Sequence, residues 1–260
     1  MLKTLLDKTR APLNRLALHR IQLDASSPSV TLETHGSEGL LYALVGRTHV
    51  SVAGLTLGAI GGRRSVTERL IHAIRVPGGL GKCMRVTLDG YAADLLWVTC
   101  AAKAGGWVDS RAPYAQKEDA IFHDVGAGCY RRTVAEVPTP AGYEIHCGET
   151  LSDGKEGTWS SWPSHAAPEE IVRYAEHEEV FFPLTSGYFL MRDNGQYCTS
   201  AVAKGVREIQ NGQAIVTPLG SHELTVSPGD VGYYAWFYLS FLKKQYNKYS
   251  TDAIGKVYVK

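Results

Sequence analysis

The chain reads as an all-β fold made of two tandem copies of one β-barrel module. Three observations predict this. Short apolar runs alternate with Gly, Pro, Asn and Asp punctuation, amphipathic helical patterns are scarce, and the sequence resembles itself at a constant offset of 141 residues (38 to 179, 74 to 215). Many short strands separated by frequent turns are the pattern of a sandwich or barrel. The runs span residues 30–33, 39–45, 48–52, 95–100, 180–184, 214–217 and 233–241. Only residues 1–18 and 168–175 carry a helical pattern, and both are predicted as helices. The 27 glycines fit a turn-rich fold.

The internal repeat sets the domain organisation. Glu38 aligns with Glu179, Gly46 with Gly187, Gly54 with Gly195, Ala73 with Ala214 and Ile74 with Ile215. Pro77, Gly79 and Asp89 align with Pro218, Gly220 and Asp230. Most of these are turn residues or the acidic residue that opens a strand pair. The joint falls near residues 125–145, with Val137-Pro138-Thr139-Pro140-Ala141-Gly142 as part of it. The predicted domains are 1–136 and 137–260. At this offset Gly81 stands where the second copy has His222. A glycine offers no ligand, so the second copy is expected to carry chemistry and the first to be structural.

Composition excludes several classes. With 44% hydrophobic and 20% charged residues in 260, the chain can bury a large core and does not read as disordered. Lys and Arg number 27 against 26 Asp and Glu, which argues against a nucleic-acid footprint. The pairs Arg63-Arg64, Arg131-Arg132 and Lys243-Lys244 read as solvated surface. Five cysteines with no C-x-x-C spacing predict reduced thiols and a cytoplasmic location. Lys3, Asp7, Lys8 and Arg10 interrupt any signal-peptide core, and no run of about 18 uncharged apolar residues spans a membrane.

Three segments of the second copy are candidates to converge: Trp159 to His165 (WSSWPSH), Glu176-His177-Glu178-Glu179-Val180-Phe181-Phe182, and Pro218 to His222 (PLGSH). Two or three imidazoles with one carboxylate form a common shell for Mn²⁺, Fe²⁺, Zn²⁺ or Ni²⁺. Strand alternation puts His177 and Glu179 on one face and Glu178 on the other. Glu178 is expected to face solvent.

These segments, with the aromatic pair Tyr233-Tyr234, resemble the 5-deoxy-glucuronate isomerase family of inositol catabolism and the related 4-deoxy-5-ketouronate isomerases. In the first half, residues 38–46, Gly62 to Val66 and Val76 to Gly79 are similar to it. The resemblance implies a bicupin, two tandem jelly-roll (double-stranded β-helix) barrels, with a degenerate N-terminal half. It implies metal ligands at His165, Glu179 and His222. The family's second histidine falls at Ala167. Either His177 fills that place, or water or substrate does and leaves an open site, or the metal has been lost. The resemblance also places Arg192 where a family arginine stands, able to pair with a substrate carboxylate or, as readily, to form a surface ion pair. Phe181 and Phe182 stand where the family has tyrosines.

The expected function is a metal-dependent isomerase acting on a small hydroxy-carbonyl compound such as a sugar acid, with His177 or Glu178 moving the proton. Two alternatives stay open. One is another metal-dependent cupin reaction, an oxygenase, lyase or tailoring step. The other is a metal-free, non-catalytic paralogue. The expected cofactor is a divalent transition metal and the expected partner a small-molecule substrate. A homo-oligomer would cover open sheet edges.

Overall fold

The computed structural model describes residues 1–11, 13–34, 36–78, 83–102, 113–117, 120–152, 158–166, 178–193, 205–216, 222–239 and 250–251. They form strands and one short 3-10 turn at Gly128–Tyr130. No helix among them is long and apolar enough to cross a membrane.

The chain divides into two compact units: residues 1–121 with 137–145, and 122–136 with 146–260. The first contains β1 (Leu2–Leu6), β2 (Leu16–Asp24), β3 (Ser29–Glu33), β4 (Glu38–Val45) and β5 (Arg47–Val52). It continues with β6 (Leu55–Gly61), β7 (His72–Val76), β8 (Cys83–Leu88), β9 (Ala92–Cys100) and β10 (Tyr114–Lys117). These build a six-stranded sheet, β1-β2-β9-β4-β7-β10, and a four-stranded sheet, β3-β8-β5-β6.

The helix predicted over residues 1–18 is not formed; β1 and the start of β2 occupy that stretch. The Asp7 carboxylate accepts the backbone N–H groups of Thr9 and Arg10, an Asx turn that stops a helix from propagating. Beyond it, Leu16, Leu18, Ile21 and Leu23 are buried on β2 and their polar neighbours are not, so the pattern serves a sheet. The helical pattern at 168–175 lies outside the described residues.

The second unit contains β11 (Ile121–Val125), β12 (Arg132–Val137), β13 (Ile145–Ser152), β14 (Trp159–Ala166), β15 (Glu178–Thr185) and β16 (Phe189–Asp193). It ends with β17 (Gly205–Ile209), β18 (Ile215–Val216), β19 (His222–Val226), β20 (Gly232–Leu239) and β21 (Ser250–Thr251). Its sheets run β11-β12-β13-β20-β15-β18 and β17-β16-β19-β14-β21.

Each unit closes its own apolar core between its two sheets. In the first, Leu41, Ile74 and Trp97 meet Leu32, Val50, Met84 and Val86. In the second, Phe181, Ile215 and Tyr234 meet Phe189, Met191, Leu224 and Val226. The repeat is therefore visible in strand pairing. Leu41 lies between Trp97 and Ile74, and Phe181 between Trp236 and Ile215. Ile74 and Ile215 keep the 141-residue offset. Leu41 and Phe181 are 140 apart, so Glu38 corresponds to Glu178 and Gly39 to Glu179. The connections between strands absorb the one-residue difference, and a slip of one residue reverses every side chain's face.

Glu38 is buried in the first unit and organises its returning segment. Its carboxylate accepts the N–H groups of Glu144 (2.7 Å) and Ile145 (3.0 Å). Buried Arg75 donates to the Ile145 carbonyl at 2.5 Å and lies over the Tyr143 ring. This satisfies backbone groups of an irregular segment that would otherwise be costly to bury.

Candidate metal centre in the second barrel

The second barrel's interior face is marked by Phe181 on β15, Tyr234 on β20 and Leu224 on β19, all in its core. Side chains alternate along a strand, so Glu179 shares the face of Phe181. Glu179 lies directly opposite Tyr238 in the β15–β20 ladder. Its neighbour Glu178 faces the other way. It is 6% exposed and does not reach solvent as the sequence suggests. The reason is that β15 is buried on both faces, with Val180 and Phe182 buried beside Glu178.

His222 opens β19 and is 4% exposed. Its ring meets the edge of Phe181, with centroids 5.5 Å apart at 71°. Phe181 in turn stacks on Tyr234 at 4.9 Å. The β14–β19 register places His165 directly opposite His222. Between Ser160 and His165 that register shifts, and Ser161 lies there at φ +53°. Such bulges redirect a strand's residues and collect at active sites. No sequence signal marks it, because the run WSSW holds no glycine.

The first barrel is the built-in comparison. Counting from the shared turn glycines Gly46 and Gly187, the ladder row Leu32–Met84–Val52 corresponds to His165–His222–Asp193. Leu32 and Met84 are buried in the apolar core. At Gly39, the counterpart of Glu179, an added Cβ would overlap the Trp97 ring. Every polar position of the second barrel's row is thus apolar or absent in the first. Met84, and not Gly81, is the first barrel's counterpart of His222 by register; Gly81 lies outside the described residues.

Arg192 is on the opposite face. It pairs across the ladder with Glu223 through an Arg192–Glu223 ion pair, with Glu223 3% exposed. Met191 and Leu224, one residue away on each strand, point into the core. Arg192 is therefore not brought together with His222 and Glu179. His177 and Ala167 lie outside the described residues. Among the described residues, no group of three or more His, Cys, Asp or Glu could hold a metal ion.

The interior face carries further residues that sequence motifs did not reveal. His146 on β13 stacks on Tyr238 with centroids 5.1 Å apart and planes 22° apart. Trp236 packs against the same tyrosine at 5.8 Å. Gly148 makes room for this, since a Cβ there would overlap the Trp236 ring.

Two antiparallel-sheet barrels in one chain, the first with an apolar row and the second with imidazoles, define a bicupin. Solved structures agree on the fold. A crystal structure of an IolB-like protein from Salmonella typhimurium LT2 matches with a TM-score of 0.80 at 19% identity, covering 96% of this chain and 92% of that one. A variant of Bacillus subtilis oxalate decarboxylase OxdC, a cupin, matches with a TM-score of 0.60 at 11% identity, covering 92% and 72%. No curated protein shows significant sequence similarity to the chain. The chain belongs to the KduI/IolB family, whose model matches residues 6–252. That family is one of 5-deoxy-glucuronate and 4-deoxy-5-ketouronate isomerases.

Proposed function

We propose that this protein is a metal-dependent isomerase of a sugar acid of the 5-deoxy-glucuronate type, working from its second barrel. The observation that carries this reading is the ladder row in which the His165 position lies opposite His222 in register, with Glu179 on the interior side of β15, where the first barrel has only Leu32, Met84 and Gly39. Two imidazoles and a carboxylate fit Mn²⁺, Fe²⁺, Zn²⁺ or Ni²⁺. We assign His165, Glu179 and His222 as ligands, with His177 completing the set or moving the proton. A bound metal would supply Lewis-acid polarisation of neighbouring carbonyl and hydroxyl oxygens.

The reaction moves one proton between adjacent carbons and one between their oxygens, so it is redox-neutral. The protein's task is to hold the chain and to carry those protons. The Phe181 edge fixes the His222 ring. Glu178 and Arg192, which face away from the interior, are left out of the assignment.

The test joins metal content to activity. Protein prepared without a chelator or metal-binding tag should hold about one transition metal per chain, lost in His222→Ala, and should isomerise 5-deoxy-glucuronate. Metal without isomerisation, but with Fe²⁺-dependent oxygen uptake, would favour the oxygenase reading. The apolar ring of Phe181 beside His222, where a hydroxyl could otherwise serve a sugar, favours that second reading. No metal in the parent, even after Mn²⁺, Fe²⁺, Ni²⁺ and Zn²⁺ are added, would remove both.

A further inference from the structure

The interior face of the second barrel changes character along its length. Phe181 and Tyr234 are buried, whereas Glu179, Trp236, Tyr238 and His146 are each half-buried. The half-buried set is the part of this face that is in contact with solvent. Three of these residues form a row across adjacent strands: Glu179 on β15, Tyr238 opposite it on β20, and His146 stacked on Tyr238 from β13. Neighbouring strands lie about 4.8 Å apart, so His146 and Glu179 are separated by roughly 10 Å of backbone.

We propose that the His146–Tyr238 stack is the receptor for the carboxylate end of the substrate. The inference rests on the sugar-acid reading above. A six-carbon uronate carries its carboxylate at the opposite end from its aldehyde. If the reacting end sits at Glu179 and His222, the carboxylate must be met several ångströms away on the same face. Arg192 cannot meet it there, because it is bound to Glu223 on the other face. His146 is on the correct face at the correct remove, and an imidazole donates an N–H to a carboxylate whether neutral or charged. The near-parallel stack on Tyr238, itself backed by Trp236, fixes the ring plane before the ligand arrives.

Two variants and two ligands test this. His146→Phe keeps a ring on Tyr238 and removes the donor; His146→Gln restores a donor. With 5-deoxy-glucuronate, His146→Phe should raise KM about tenfold or more while kcat changes less than about threefold, and His146→Gln should recover part of the loss. The preference for 5-deoxy-glucuronate over neutral 5-deoxy-glucose should collapse in His146→Phe. A fall in kcat at unchanged KM would overturn the proposal, because His146 would then act in the chemistry. An unchanged acid preference would overturn it as well.

Calorimetric binding of D-glucuronate to the parent and both variants separates this inference from the isomerase reading. Binding to the parent that weakens about tenfold in His146→Phe supports the receptor even if no isomerisation is found. Equal binding to both, or none to the parent, refutes it.

Discussion

His222 and Glu38 show how differently two buried polar residues can be used. His222 sits between the Phe181 edge and the His165 position of the neighbouring strand. His222→Ala should abolish metal retention and lower stability by about 1–3 kcal/mol through the lost packing, as read by elemental analysis and thermal unfolding. Glu38 has a pH signature. Burial pushes its carboxyl up to about 7, against the opposing pull of the Glu144 and Ile145 N–H groups and of Arg75. The folded state therefore holds a proton that the unfolded chain releases near 4.5. Its contribution to stability is full below about 4.5 and is lost as pH rises through about 7, amounting to at most about 3 kcal/mol. The expected result is a thermal midpoint that falls between about pH 4.5 and 7 more steeply in the parent than in Glu38→Gln. Identical slopes would show that Glu38 does not titrate in that window.

At the scale of elements, the two glycines that admit tryptophans are the sharpest tests of the packing. Gly39→Ala on β4 would force the Trp97 ring aside, and Gly148→Ala on β13 would collide with both the Trp236 ring and the Ala135 backbone carbonyl on β12. Each should cost about 1–3 kcal/mol by overpacking, read as a lowered midpoint of unfolding. Only Gly148→Ala should also weaken sugar-acid binding, because only Trp236 backs Tyr238. The β16–β19 pair offers the complementary experiment. Arg192→Met removes an ion-pair partner of buried Glu223 and should destabilise by about 1–3 kcal/mol. KM for a sugar acid should stay unchanged per folded molecule; a large rise in KM would return Arg192 to the substrate.

For the molecule as a whole, the apolar ladder row of the first barrel and the histidine-bearing row of the second predict an asymmetric response to metal. A ligand that binds only the folded state, at about one hundred times its Kd, stabilises by about 2.7 kcal/mol. Mn²⁺ or Zn²⁺ should therefore raise the unfolding midpoint of the parent and leave that of His222→Ala in place. Cys100, Cys129 and Cys147 are free thiols, so no disulfide among them complicates the comparison.

The sequence by itself determined the all-β class and the duplication, and it pointed to the second half as the one to carry chemistry. Alternation, turn residues and a fixed offset are local or one-dimensional signals, and they survive without coordinates. It also singled out His165, Glu179 and His222, because segments that resemble a family carry their positions with them. What only the tertiary structure decided depends on which face a side chain takes and what lies across the ladder. A one-residue change of offset turned Glu38 into the counterpart of Glu178. Burial of β15 on both faces took Glu178 out of solvent. The parity of β16 sent Arg192 to Glu223. The amphipathic-looking start of the chain became β1 and β2, because an Asx turn and sheet pairing outweigh weak helical periodicity. His146 was invisible in the sequence for the same reason. Its significance lies in Tyr238, 92 residues further on, and only the sheet brings the two rings together.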